Sequence, residues 1–154
     1  MASIRRRELV DGSVRYDVIY RDPDGRQRVK TYRKKRSALA FANTTEADKQ
    51  RGQWIDPAAG KVTFEAYARE WLAMQTFERS TRDAVEQRLR RHVFPVLGRS
   101  QLRNVRPSTV QSWLRSIDHL APRTRKLIFE HVSTVFGAAV DDSLIGRNPC
   151  RAGS

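Results

Sequence analysis

Apolar and polar residues alternate, with one exception, along one short segment near the start of the chain. Val14, Tyr16, Val18 and Tyr20 occupy one set of alternate positions, and Arg15, Asp17, Ile19 and Arg21 occupy the other. A period of two with one apolar face predicts a half-buried β-strand. The next four residues read Asp-Pro-Asp-Gly. They predict a tight turn, because proline presets φ and glycine takes the left-handed position.

Two more strands and a helix complete the predicted first half. Residues 3–10 are predicted as the first strand, which turns at Asp11-Gly12, and residues 27–33 as the third. Ser37 is expected to cap a helix over residues 38–51. Leu39, Ala42 and Ala47 are predicted on its inner face. We expect this helix to cover the tyrosine- and valine-bearing side of the sheet, together with Tyr32, and to leave the other side open.

The second half has a helical period. Phe64, Tyr67, Ala68, Trp71 and Leu72 form an apolar stripe at the spacing of one helix face. A second helix is predicted to begin at Ser80 or Thr81, to run through Val85, Leu89 and Val93, and to end at Pro95 and Gly98. Pro107 and Pro122 each open a further helix. The predicted fold class is therefore α+β: a three-stranded antiparallel sheet with one helix, followed by an all-α bundle of four helices.

Composition shifts suggest where the chain divides. Proline, glycine and small residues concentrate around residues 57–61, which we interpret as a linker between a domain over 1–56 and another over 62–150. Residues 151–154 are expected to form a tail, with Gly153-Ser154 interpreted as a remnant of cloning.

Charge narrows the range of partners. The chain carries 30 Lys+Arg against 17 Asp+Glu, a net charge of +13. Residues 1–56 contain 14 basic and 8 acidic residues, net +6, and the rest contain 16 and 9, net +7, so both halves are expected to contact a polyanion. Arginine outnumbers lysine, which favours bidentate contacts with phosphate and guanine. No run of eighteen apolar residues occurs, so no membrane partner is expected, and Cys150 is interpreted as a reduced thiol.

The open side of the predicted sheet is the first candidate site. Alternation places Arg5, Arg7, Arg15 and Arg21 on this side, and a β-ribbon fits the major groove of DNA. Between the arginines, Asp17 is predicted to contact a base amino group and Ile19 a thymine methyl. Alternation from Tyr32 would turn two basic residues of the third strand inward unless a bulge or a snorkelling edge intervenes. The further candidate DNA-binding residues of this half are Arg28, Lys30, Lys34 and Lys35.

Two helix starts form the second candidate site. Each combines hydroxyl groups, basic side chains and free backbone N–H groups, which suit phosphate oxygens. The predicted contacts are Ser80, Thr81, Arg82, Arg123, Thr124, Arg125 and Lys126, with Arg88 widening the basic face of the second helix. The alternative is that these residues are ordinary caps and solvated charges.

The order of these features resembles a phage-type tyrosine integrase, a site-specific recombinase. The hairpin at residues 16–25 and the aromatic Tyr32 are similar to the arm-type DNA-binding domain. The helical half is similar to the core-binding, SAM-like domain. Its matching positions are Thr63-Phe64, Trp71-Leu72, Thr81, residues 92–98, Leu102, Val105, Trp113, Thr124 and residues 144–149.

The resemblance implies a catalytic domain that follows the Asn-Pro element at residues 148–149. That domain supplies Arg, Lys, a His-x-x-Arg set and a tyrosine nucleophile. None of His92, His119 and His131 is followed by arginine at the third position, and all four tyrosines lie in residues 16–67. Asp141-Asp142 lacks the further oxygen ligands of a metal site. We therefore expect no catalytic residue, cofactor or metal in this chain, and interpret it as an integrase fragment rather than an enzyme.

The predicted function is binding of double-stranded DNA at arm-type and core-type sites. Further integrase protomers are the expected partners on DNA, and the expected location is intracellular, on bacterial or phage DNA. A non-catalytic transcriptional regulator is one alternative. A structured-RNA-binding protein is another, although single-stranded RNA readers usually present aromatic residues on the open side of the sheet.

Overall fold

The computed structural model describes residues 1–56 and 58–151. Pro57 of the predicted linker and residues 152–154 of the predicted tail lie outside the described residues. The chain divides into two compact units, Met1–Trp54 and Ile55–Ser154. The first is a three-stranded antiparallel sheet with one helix and the second is helical, which confirms the α+β prediction.

The sheet of the first unit contains β1 (Ser3–Glu8), β2 (Val14–Arg21) and β3 (Gln27–Tyr32) in sequence order. Both predicted turns form, and each contains a glycine with positive φ, Gly12 at 81° and Gly25 at 82°. In the second turn, the Gly25 N–H donates to the Asp22 carbonyl at 2.9 Å. The first strand ends at Glu8 rather than at Val10, because Leu9 already closes the turn through its N–H bond to the Ser13 carbonyl.

The helix of this unit, α1 (Lys35–Gln50), covers one face of the sheet. Val18 and Tyr20 are buried beneath it, and Tyr16 and Tyr32 pack against them, so the predicted covered face is confirmed. The predicted helix start was wrong. The N-cap position is Lys34 and not Ser37, which lies inside the first turn.

The inner face of α1 also differs from the prediction. Ala38, Ala42 and Thr45 are buried, whereas Leu39 is 44% exposed. Small residues follow one another on this face at the i, i+4, i+7 spacing and let the helix lie close to the strands. The aromatic ring of Phe41 then meets Tyr20 and Tyr32, with centroids 5.4 and 5.6 Å apart.

The described part of the second unit contains five α-helices: α2 (Phe64–Met74), α3 (Arg79–His92), α4 (Phe94–Leu97), α5 (Pro107–Ser116) and α6 (Pro122–Asp141). Four of them match the predicted helices. The fifth, α4, is a single turn in the segment where Pro95 and Gly98 predicted only an ending. Short 3₁₀ helices at Ala59–Lys61 and Leu102–Asn104 complete the unit.

The core of the helical unit lies where the apolar stripes meet. Its largest fully buried side chains are Trp113, Phe64, Phe136, Leu89, Leu97, Leu102 and Ile128. The Trp113 indole N–H donates to the His92 carbonyl at 2.7 Å, so the end of α3 is held against α5. Among the described residues, no helix is long and apolar enough to cross a membrane.

Candidate nucleic-acid interface

The pairing of the strands places the first set of predicted contacts on one face. Arg5 lies opposite Asp17, Arg7 opposite Arg15, and Ile19 opposite Val29. Directly opposed residues in an antiparallel pair project to the same side of the sheet. The open face therefore carries Arg5, Arg7, Arg15, Asp17, Ile19, Arg21, Val29 and Thr31. Arg5, Arg7 and Arg21 are exposed and Arg15 is half-buried, so the predicted division of the two faces is confirmed.

Asp17 is the anionic exception on this face, and its carboxylate is already engaged. Its Oδ2 accepts a hydrogen bond from Arg7 Nε at 3.1 Å, and its Oδ1 accepts one from the Thr31 hydroxyl at 2.6 Å. The Thr31 hydrogen bond and the Arg7 guanidinium hold the pKa of Asp17 below its ordinary value, because both favour the ionised form. The three residues join all three strands. The carboxylate also fixes the direction of Arg7, which remains half exposed.

Two basic residues of β3 do not reach the open face. Arg28 and Lys30 lie on the side covered by α1, because the third strand keeps its regular register without a bulge. Lys30 extends its ammonium to 4.7 Å from the Phe41 ring centroid, the snorkelling arrangement that the sequence left open. Arg28 Nε lies 3.1 Å from Asp22 Oδ2.

Asp22 is buried at the start of the second turn. Burial raises its pKa, but the hydrogen bond from the Arg26 N–H and the Arg28 side chain more than compensate, so its pKa is lowered overall. Arg28 therefore has a partner that stabilises the hairpin. Lys34 and Lys35 are exposed at the beginning of α1.

The start of α3 only partly matches the predicted phosphate site. The N-cap position is Glu78, so Ser80 and Thr81 occupy the first turn, where they are exposed, and neither caps the helix. Arg82 points back toward α2. Its guanidinium donates to the Leu72 carbonyl at 2.9 Å and to the Gln75 carbonyl at 2.6 Å. Both carbonyls lie at the end of α2, where the Leu72 carbonyl also accepts the Gln75 N–H at 3.2 Å, so Arg82 acts as a cap for α2.

Arg88 is the second basic residue of α3 with a partner inside the bundle. Its Nη1 lies 3.4 Å from Nε2 of His131 on α6. Burial, with a smaller contribution from the Arg88 charge, lowers the pKa of His131, because both disfavour the imidazolium. A neutral His131 can accept a hydrogen bond from Arg88. This contact links the two helices whose starts carry the predicted phosphate contacts.

The start of α6 keeps the predicted combination of a hydroxyl group, basic side chains and backbone N–H groups. Ala121 occupies the N-cap position and Pro122 follows it, which confirms proline as the first helical residue. Arg123 and Lys126 are exposed, whereas Thr124 and Arg125 are half-buried. The exposed pair can meet a ligand without any rearrangement of the bundle.

Sequence reasoning missed two residues of the open sheet face, Val29 and Thr31. Neither is basic, and alternation from Tyr32 indicates only which side of the third strand each residue faces. Only the pairing of β2 with β3 shows that Val29 lies beside Ile19 and Thr31 beside Asp17.

Taken together, the fold and these surfaces define an α+β protein with cationic surfaces of the kind that bind polyanions. The phage integrase central domain model matches residues 64–153. The chain belongs to that family, which confirms the resemblance seen in its sequence.

Curated relatives agree with this assignment. The chain is 29% identical to the integrase of Mycobacterium phage L5 over 130 residues, which cover 80% of this chain and 35% of that protein. It is 29% identical to the integrase of Enterobacteria phage P4 over 124 residues, which cover 73% and 28% respectively. The chain thus spans about a third of the length of these relatives.

Solved structures share the fold. A lambda integrase dimer bound to a core site matches with a TM-score of 0.56 and 18% identity, over 97% of this chain and 44% of that one. A phage integrase SAM-like domain from Moorella thermoacetica matches with a TM-score of 0.53 and 28% identity, over 66% of this chain and 89% of that one. The second match confirms the SAM-like character predicted for the helical half.

Proposed function

We propose that this chain binds double-stranded DNA through two separate surfaces, as the non-catalytic part of an integrase that performs site-specific recombination. The first unit would bind an arm-type sequence with its open sheet face. The second would hold core-type DNA with the starts of α3 and α6. In this proposal, residues outside this sequence catalyse strand exchange.

The observation that carries the proposal is the uncovered arginine face of the sheet. Its aromatic side is buried under α1, while Arg5, Arg7 and Arg21 are exposed on the other side. There Arg7 bonds Asp17 and Arg21 bonds the Gly25 carbonyl. A twisted sheet of this size fits the major groove, where arginine can bond guanine and the flanking phosphates. Because the aromatic residues are covered, the face lacks the stacking platform typical of single-stranded RNA readers.

The helical unit contributes a different kind of contact. Arg123 and Lys126 with the N–H groups of the first turn of α6 favour phosphate oxygens, which carry no sequence information. Ser80 and Thr81 would act similarly at α3. Arg82 and Arg88 are set apart from this group, because their guanidinium groups already bond α2 and α6.

Joining the two surfaces in one chain raises affinity only when both sites are engaged together. In the proposed complex the arm-type and core-type sites lie on separate or bent DNA segments, and the chain bridges them. The lambda integrase structures of the same fold are described as a dimer on a core site and as a tetramer on a Holliday junction. We propose that further protomers likewise assemble on DNA bound by this protein.

The test begins with selection of duplexes from a random pool by the whole chain, followed by footprinting. Arg15→Ala should then weaken binding to the selected arm-type duplex by about 1–3 kcal/mol and relax sequence preference there. An unchanged affinity for every duplex would refute the assignment of the sheet face. Structured RNA at equal salt provides the comparison: tighter binding to RNA than to any selected duplex would overturn the choice of DNA.

A further inference from the structure

An apolar pair interrupts the cationic face of the sheet. Ile19 of β2 and Val29 of β3 lie directly opposite each other, so both side chains project from the open face. Val29 is 56% exposed and Ile19 is half-buried. Neither contributes to the hydrophobic cluster beneath α1 in the described part of the first unit. Their contact area is therefore free for a ligand.

The cross-strand pairs on either side of Ile19 and Val29 on the same face are polar. On one side lie Arg21 and Gln27, which oppose each other, and on the other lie Asp17 and Thr31. Ser3 faces Ile19 from β1. A β-branched pair thus lies in the middle of the face, with a guanidinium two residues along its own strand. The open face as a whole carries four arginines against one aspartate, and this excess of positive charge favours a polyanion as the occupant over an apolar protein surface.

We propose that Ile19 and Val29 together contact the C5 methyl group of thymine in the arm-type sequence. This inference rests on the proposed binding of the sheet in the major groove. On the major-groove edges of the bases, the thymine methyl is the apolar group that aliphatic side chains contact. The arginines hold the sheet against the groove. The apolar pair then distinguishes a base that carries a methyl group at this position from a base that lacks one or carries an amino group there. Val29 becomes a specificity-determining residue in this arrangement.

Uracil substitution tests the inference directly, because uracil differs from thymine only by the missing methyl group and pairs with adenine in the same way. In the selected arm-type duplex, each thymine is replaced singly by deoxyuridine, and the affinity of the whole chain is measured at constant salt. We expect about a fourfold loss at one or two positions, the effect of burying one methyl group, and no loss elsewhere.

Variants assign the effect to the two side chains. Val29→Ala and Ile19→Ala should weaken binding to the thymine duplex and abolish the difference between thymine and uracil at the sensitive positions. Val10→Ala is the matched control. Val10 is fully exposed in the turn between β1 and β2, at the other end of these strands from the Ser3–Ile19 pair, and its loss should leave the uracil effect unchanged.

Different experimental results would refute the inference and the proposed function. If the wild-type chain binds no duplex, the proposed function falls. If it binds a selected duplex with equal affinity whichever thymine is replaced, only the methyl contact is refuted. A uracil effect that persists undiminished in both alanine variants would also refute it, and so would a change in self-association of Val29→Ala without a change in DNA affinity. The wild-type uracil series decides the question even if a variant fails to fold.

Discussion

The Thr31 hydroxyl donates a 2.6 Å hydrogen bond to Oδ1 of Asp17 on the neighbouring strand. The same carboxylate receives Arg7 Nε from the opposite strand. An aspartate on a surface proposed to meet DNA would repel phosphate if it stood alone. Here its charge is matched by Arg7, and its position determines where that guanidinium points. The carboxylate therefore supports Arg7 in this structure, and the base contact that the sequence predicted for Asp17 stays a prediction.

Thr31→Val should raise the pKa of Asp17 toward its ordinary value of 3.8, because it removes the largest influence that lowers it. A carboxyl group whose pKa is lowered in the folded state stabilises the fold above its ordinary pKa, and this contribution is lost as pH falls through the folded value. The stability of the sheet unit should therefore fall less steeply below about pH 4 in the variant. Carboxyl NMR titration of Asp17 measures the shift. Thr44→Val, at an exposed position of α1, is the control, and an Asp17 pKa equal in the wild type and Thr31→Val would contradict the prediction.

Arg82→Ala should destabilise the helical unit by about 1–3 kcal/mol, because two carbonyls at the end of α2 lose their charged donor. Thermal unfolding followed by tryptophan fluorescence measures the loss. Arg79→Ala provides the comparison, since Arg79 is exposed at the start of α3, the helix that carries Arg82. This variant should leave the midpoint of thermal unfolding unchanged. Equal midpoints for both variants would show that Arg82 does not act as a cap.

Lys126→Ala should weaken binding to all duplexes alike and lower the slope of log affinity against log salt by about 1, as expected for the loss of one phosphate contact. The measurement is a salt titration with the selected duplex and with a scrambled one. Lys61→Ala, which removes another exposed lysine outside both proposed surfaces, is the control. A Lys126→Ala variant that discriminated between the two duplexes differently from the wild type would point to a base contact instead.

Tyr67→Phe should destabilise the helical unit by about 1 kcal/mol, the typical net contribution of a hydrogen bond. The Tyr67 hydroxyl donates to Asp142 Oδ2 at 2.6 Å and joins the beginning of α2 to the end of α6. Burial, together with this contact, raises the pKa of Tyr67, so the phenol stays protonated throughout the physiological range. Chemical denaturation measures the difference in the free energy of unfolding between the variant and the wild type.

Asp142→Ala should reproduce most of the effect of Tyr67→Phe, because it removes the other partner of the same bond. Asp141→Ala, which removes the adjacent exposed carboxylate, should not. If Asp141→Ala and Asp142→Ala were equally destabilising, the helix end and not the hydrogen bond would be responsible.

Much of the fold followed from local patterns. The alternation in β2 and the Asp-Pro-Asp-Gly turn each predicted an element that the structure contains, and so did the prolines that open α5 and α6. These features act over a few residues, so they can be identified without knowledge of the rest of the chain. The beginnings of α1 and α3 were mispredicted by the same local reasoning. A serine or threonine near a helix start was taken as a cap, but the chain enters each helix earlier, at positions set by the elements before it.

The sequence by itself determined that the chain is strongly cationic in both halves, that one face of its sheet is apolar, and that arginines share the other. Charge and period are properties of neighbouring residues and need no tertiary contact. Only the tertiary structure decided which cations remain available. Arg82, Arg88 and Arg28 acquired partners within the fold, as did the anionic Asp17, and Val29 acquired its place beside Ile19. The physical reason is that a charged group bonds whatever backbone or side-chain atoms the packing brings within about 3 Å, and strand register and helix packing set those distances.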